Sequence, residues 1–330
     1  MAPTDRMAAT GSGDSLVLTV TRRCDLRCSY CPTAKEGWPS LSIGQVNRAI
    51  DLFVEGGGGD LKLFGGEPLL VPEVVEAVLD RTEDEPAISR VYLSTNGLGL
   101  DEGWLARRRD KLILTISMDG RPEDHRRFRR PAREGVRDAY DHVISLLPAL
   151  LRTPRVVLTM TIPPASAHSA VENFDHLRGL GFRRFNLLPG YYLPWRPQQL
   201  EALREGLDGI ATRFRVAWSE GSHLYLRNLF TWAPTPFFNT GMVVDADGSI
   251  HPSNIGLSLD HLCAETRAGT LEAPPSAAEL DDKAGTISAL LEREVDERVL
   301  ASTRAVDAEL TRMVRGLYPA WAAWKKARSS

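Results

Sequence analysis

The stretch SLVLTVTRRCDLRCSYCP, residues 15–32, organises the reading of all 330 residues. Its first six residues are short, apolar and β-prone, and they predict a strand. The polar remainder predicts a loop. That loop holds three of the four cysteines, Cys24, Cys28 and Cys31, in a CxxxCxxC spacing, while Cys263 stands more than two hundred residues away. Disulfide frameworks belong to short secreted chains. Clustered thiols in a long chain without a secretory signal predict metal ligands in a reducing compartment.

Three thiolates on one turn narrow the choice of metal. Structural zinc takes four ligands, and no histidine or fourth cysteine lies close by in sequence. A [4Fe–4S] cube also normally takes four thiolates. Three would leave one iron open to a small bidentate ligand, and the amino and carboxylate groups of S-adenosylmethionine (SAM) suit that position. One electron from the cluster then cleaves a C–S bond and yields a 5′-deoxyadenosyl radical. One cluster and SAM are the predicted cofactors.

Outward from the loop, Ser42 predicts an N-cap for a helix to about Glu55, and Gly56–Gly59 ends it. Short apolar strands are predicted at Leu61–Phe64, Ser89–Ser94, Leu112–Ser117, Arg155–Ile162 and Phe182–Leu188. Helical patterns fall between several of them, among them 72 onward, Asp101–Arg109, Gly135–Leu151 and His168–Gly179. Six βα units predict an α/β fold with a parallel sheet, a six-stranded (βα)6 partial TIM barrel. Pro197–Trp218 reads as one long helix in place of two further strands. Gly241–Val244 and Ser249–His251 flank an Asp-Gly turn and predict a hairpin. The expected domains are a flexible arm over 1–14, the barrel core over 15–195, a helix with a small extension over 196–270, and a helical tail over 271–330. Tyr318, Trp321 and Trp324 are expected to dock that tail on the core.

The residues from Leu18 to Pro32 resemble the first strand and cluster loop of the radical SAM superfamily. Phe64-Gly65-Gly66-Glu67-Pro68 is similar to that family's GGE segment. Ile116-Ser117-Met118-Asp119-Gly120, followed by His125 and Arg129, resembles the subgroup that contains anaerobic sulfatase-maturating enzymes and peptide maturases. By that resemblance Gly65, Gly66 and Glu67 surround the SAM amino group, with the glycines letting backbone carbonyls approach it. Ser117 is assigned the ribose or carboxylate, Arg129 the carboxylate through its planar fork, Tyr30 the adenine, and Leu187 or Leu188 packing on the adenine. Asp119 belongs to the same signature. Thr95 and Asn96 end the third strand, where such folds place ligand contacts. His125 is read as a hydrogen-bond donor that fixes its loop. Arg126 and Arg130 are read as solvated.

The chain departs from the pattern farther on. Residues 238–253 resemble the hairpin that opens a SPASM or twitch extension, but Phe238 and Ser253 stand where that pattern has cysteines. No auxiliary cluster is therefore expected, and Cys263 is read as an inert thiol. The leading expectation for substrate is a ribosomally made peptide, with a separate leader-peptide-recognition protein because the sequence before the first strand has no room for such a domain. The runner-up is tailoring of a small molecule, by dehydrogenation, epimerisation or decarboxylation. A non-catalytic scaffold is the third reading. A flavodoxin or ferredoxin is the expected electron donor. The net charge of −3 offers no global basicity for nucleic acid, and the apolar runs are too short for a bilayer, so no membrane partner and a cytoplasmic location are expected.

Overall fold

The computed structural model describes residues 15–231 and 235–329. The arm expected over 1–14 lies outside the described residues. The strands, in chain order, are β1 (Ser15–Thr21), β2 (Leu26–Cys28), β3 (Gly59–Gly65), β4 (Ile88–Thr95), β5 (Leu112–Ser117), β6 (Arg129–Pro131), β7 (Val157–Ile162), β8 (Arg184–Pro189), β9 (Tyr225–Leu226), β10 (Thr240–Val244), β11 (Ser249–Ser253) and β12 (Gly269–Thr270). Ten form one sheet in the order β12-β11-β10-β1-β3-β4-β5-β7-β8-β9, and β2 pairs with β6 apart from it.

The six strands read from sequence stand side by side in chain order and pair in parallel. The six-strand count itself is too low. The two-residue β9 adds in parallel beside β8. The predicted hairpin, β10 and β11, is continuous with the same sheet: β10 pairs in parallel with β1, Leu16 opposite Met242 and Leu18 opposite Val244. Nothing in a local hydrophobic pattern reports a pairing between segments this far apart in sequence.

Strand parity separates two faces. Leu16, Leu18, Leu61, Leu63, Val91, Leu93, Leu114, Ile116, Leu158, Met160, Phe185 and Leu187 are at most 1% exposed and form the main apolar core. The alternate positions are mostly polar: Thr19, Lys62, Tyr92, Thr115, Thr159 and Asn186. This second face is concave. The Arg227 guanidinium, just past β9, lies 4.3 Å from the Tyr92 ring centroid on β4. Four strand steps separate β4 from β9, which in a flat sheet is about 19 Å. Only a strongly curled sheet brings those side chains together.

Helices fill the crossovers: α1 (Ile43–Glu55), α2 (Pro72–Glu83), α3 (Glu102–Ala106), α4 (Pro122–Phe128), α5 (Ala139–Ser145), α6 (Leu147–Arg152), α7 (Ala170–Gly179) and α8 (Pro197–Ser219). Ser42 and Gln45 close a capping box on α1. The helix expected over Gly135–Leu151 is two helices that break at Leu146, because Pro148 sits in the first turn of α6 and has no N–H to continue α5. After β11 come the one-turn α9 (Cys263–Thr266), then α10 (Ala277–Glu294) and α11 (Glu297–Ser329). Trp324 of α11 packs 6.5 Å from Trp218, and Trp321 packs 5.1 Å from Phe230. Among the described residues no helix is long and apolar enough to cross a membrane.

Candidate active site at the sheet's C-terminal edge

The cysteine loop leaves β1 at its C-terminal end. Its middle, β2, pairs antiparallel with β6 and sets Cys28 opposite Arg129. All three thiols are free and half-buried. Cys24 Sγ accepts the Leu26 N–H at 3.4 Å. Cys28 Sγ lies 3.9 Å from Arg129 Nη1, and Cys31 Sγ lies 3.2 Å from Lys35 Nζ. Burial pushes the Cys24 thiol up to about 12. Burial also raises Cys28, against the pull of Arg129. At Cys31 burial acts upward too, but the Lys35 charge and the Thr33 hydrogen bonds outweigh it, and the thiol is more acidic than usual. Among the described residues no three His, Cys, Asp or Glu side chains converge as ligands of a single metal ion. A cube makes a different demand, one thiolate on each of several irons. Three thiols on one turn, two of them beside cations that favour the thiolate, fit that demand.

Gly65 and Gly66 serve the backbone. Any Cβ at Gly66 would strike the carbonyls of Arg22 and Arg23, and one at Gly65 the carbonyl of Thr21. The Gly66 N–H donates to the Thr21 carbonyl and the Glu67 N–H to that of Arg23, both at 2.8 Å. The two glycines therefore let the β1 exit run hard against the end of β3. The Glu67 carboxylate is 1% exposed and accepts from Thr95 Oγ1 and the Asn96 N–H, both at 2.7 Å, and from the Leu69 N–H at 3.0 Å. Burial lifts it to about 7 against those hydrogen bonds. Asn96 in turn donates to Asp25 Oδ1 inside the cysteine loop at 2.6 Å. Glu67, Thr95 and Asn96, expected around the cofactor, thus form a chain of hydrogen bonds that fixes the loop on two strand ends.

Asp119 is a second hub. It accepts from Tyr30 Oη at 2.5 Å, from Arg129 Nε and Nη2 at 3.0 Å each, and from the Thr161 N–H at 3.1 Å. Arg129 is 8% exposed and Asp119 2%. The Nε and Nη2 edge of the Arg129 guanidinium thus holds Asp119, while Nη1 faces Cys28. Leu187 differs from expectation: it is fully buried in the core, and parity turns the half-buried Leu188 to the concave face instead. His125 accepts the Asp119 N–H at Nδ1, at 3.4 Å, so it fixes the loop as an acceptor rather than a donor. Ser117 is half-buried at the end of β5, and among the described residues no hydrogen bond engages its hydroxyl. Arg126 is exposed and pairs with Asp138 and Asp141, and Arg130 is exposed.

The sequence reading missed what lies behind the loop. Arg22 is fully buried. It pairs with Asp245 at the hairpin turn, donates to the Gly256 carbonyl at 2.9 Å, lies 3.4 Å from Cys263 Sγ, and stacks 3.4 Å from the Trp38 ring centroid. Cys263 is thus a half-buried thiol beside a cation, with burial still raising it. Phe238 is 2% exposed and packs in an apolar cluster with Ile255, Leu262, Ile287, Leu290 and Leu291. Ser253 is 1% exposed, and its hydroxyl has no partner among the described residues. Two surface hollows, one beside Glu265 and Lys283 and one beside Ser42 and Arg48, include none of these residues.

A model of the radical SAM superfamily matches residues 18–191, more than half of the chain. The chain belongs to the radical SAM superfamily. Members of that superfamily use a [4Fe–4S] cluster and SAM, and the chain is an enzyme of radical chemistry. It is 29% identical over 210 residues to the molybdenum cofactor biosynthesis protein moc-5 of Caenorhabditis elegans, covering 60% of this chain and 34% of that protein. It is 32% identical over 167 residues to the GTP 3′,8-cyclase of Chlorobaculum tepidum, covering 48% of this chain and 46% of that one. The matches thus span a third to a half of these relatives. In fold, it resembles native anSMEcpe with bound AdoMet (TM-score 0.63, 17% identity, 81% of this chain and 79% of that one). It also resembles Streptococcus suis SuiB bound to its precursor peptide SuiA (TM-score 0.55, 15% identity, 74% and 60%). These two likenesses speak for a shared radical SAM fold.

Proposed function

We propose that Cys24, Cys28 and Cys31 each bind one iron of a single [4Fe–4S] cluster at the rim of a partial barrel, and that SAM completes the fourth iron. When bound, that pair supplies a 5′-deoxyadenosyl radical able to take a hydrogen atom from an unactivated carbon. The chain's own part is to hold and orient. Asp119 fixes Tyr30 and Arg129 beside Cys28, Glu67 and Asn96 fix the loop from the other side, and Ser117 offers a free hydroxyl to the cofactor. Leu188 offers an apolar surface for its adenine. A flavodoxin or ferredoxin is the proposed reductant, and the β10–β11 hairpin is proposed as a twitch-like remnant without its cluster.

The proposed substrate is a small polar molecule, and the reaction is hydrogen abstraction from it. The observation that carries this reading is the concave face below the thiols, where Thr19, Lys62, Tyr92, Thr115 and Asn186 project. The relatives in sequence are named for GTP and for molybdenum cofactor biosynthesis, which are small-molecule chemistries. GTP itself is not carried over, since the match spans under half of those proteins. The peptide expectation rested on the ISMDG resemblance together with the extension that lacks its cysteines, and the relatives in sequence do not support it. Anaerobic incubation with dithionite and SAM tests the centre. Wild type should release 5′-deoxyadenosine and Cys28→Ala none, while Ser117→Ala should need more SAM for half-maximal rate. Release by Cys28→Ala at the wild-type rate would refute the assignment.

A further inference from the structure

The two buried arginines among the described residues have carboxylate partners: Arg22 pairs with Asp245 and Arg129 with Asp119. Two half-buried cations on the concave face, Lys62 and Arg227, form no ion pair with a carboxylate among the described residues. Lys62, in the middle of β3, donates to Asn239 Oδ1 at 3.1 Å and pairs with no carboxylate among the described residues. Arg227 lies over the Tyr92 ring, and among the described residues no acceptor engages its guanidinium. Tyr92, whose ring carries Arg227, is the register neighbour of Lys62 on the adjacent strand. Each lies close enough to matter: burial and the Arg227 charge together bring Lys62 down to about 8. The Asp60 carboxylate offsets part of this charge without forming an ion pair with either cation. Like charges set side by side, out of water and without a paired counter-charge, are costly. One residue pair nearer the rim, the hydroxyls of Thr19 and Thr115 are buried, 0% and 3% exposed, on the same face and have no hydrogen-bond partner among the described residues.

We propose that Lys62 and Arg227 bind an anionic group of the substrate, a phosphate or a carboxylate, at the floor of the concave face. Thr19 and Thr115 line the path from that anchor to the rim. Lys62 precedes Gly65 by three residues, about 10 Å along the strand. The bound molecule is therefore of metabolite size, anchored by its anion at the floor, with the carbon that loses hydrogen near the thiols. The planar fork of Arg227 suits an oxyanion, and its stack on Tyr92 fixes the fork's plane.

This inference rests on the small-molecule reading, and calorimetry without reductant separates the two. The reconstituted, SAM-loaded protein is titrated anaerobically with inorganic pyrophosphate and, separately, with malonate. Saturable binding of either supports the site, and their ranking tells phosphate from carboxylate. Lys62→Met and Arg227→Met should each weaken binding by about ten- to a hundredfold. Lys62→Arg should stay within a few-fold of wild type, and Arg130→Met should match it. Iron content and SAM affinity should not change in any variant. No saturable binding in wild type, or wild-type affinity in both methionine variants, overturns the anion site. If wild type binds the anions but releases no 5′-deoxyadenosine with dithionite, the anion site stands and the radical reading fails.

Discussion

Arg129 and Asp119 brace the cysteine loop beside the end of β5. Both are buried, and two parallel hydrogen bonds of 3.0 Å join them. Removing the cation leaves a buried carboxylate unpaired, so Arg129→Ala should cost about 3–5 kcal/mol in urea unfolding. Arg129→Lys should recover only part, because an ammonium cannot present the fork. His125 gives a pH signature. It is 1% exposed, and burial lowers it from 6.5 to about 4. Between those values the unfolded chain takes up a proton that the folded chain refuses. Stability therefore falls as pH drops from 6.5 toward 4, by at most about 3 kcal/mol. Urea midpoints at pH 7 and pH 5 should show this loss in wild type and a smaller one in His125→Gln; equal losses would contradict it. The cysteines were legible in the sequence because their spacing alone carries the chemistry. The partners of Glu67, Asn96 and Asp119 were not, since each hydrogen bond joins segments far apart in the chain. Lys62 left one faint signal, a lone lysine in an apolar strand; Arg227 left none.

At the scale of elements, the end of β1 decides the geometry of the loop. Its carbonyls lie where any side chain at Gly65 or Gly66 would sit. Gly66→Ala should therefore cost roughly 3 kcal/mol or more by displacing backbone, with lower iron uptake as the second readout. A variant with wild-type stability and iron content would show that the loop has slack. The central strands were readable because short apolar runs bounded by glycine and proline have few alternatives. The sheet's flanks were not. The two-residue β9 falls inside His223–Leu229, which reads as β-like without naming a partner strand, and the parallel pairing of β10 with β1 follows from tertiary packing. The break between α5 and α6 was foreshadowed by Pro148, which the helical periodicity around it outweighed.

Across the whole molecule, the hairpin and the cysteine loop are one unit. Arg22 leaves β1 two residues before Cys24 and is held by the hairpin turn, the Gly256 carbonyl and the Trp38 ring. The Ala34 N–H adds a bond of 2.7 Å to the Leu257 carbonyl. Where the resembling extension has a cysteine, Phe238 fills an apolar cluster against α10. Phe238→Ala should cost about 3–5 kcal/mol of stability, as measured by chemical unfolding, while the iron content of the folded fraction stays unchanged. Loss of iron at unchanged stability would assign this region a metal site. The most direct measurement is iron and acid-labile sulfide per chain after anaerobic reconstitution of wild type, Cys28→Ala and Cys263→Ala. About four irons are expected in wild type and in Cys263→Ala, with the cluster lost from Cys28→Ala. About eight irons in wild type, or a cluster that survives Cys28→Ala and disappears in Cys263→Ala, would contradict a single cluster held by Cys24, Cys28 and Cys31.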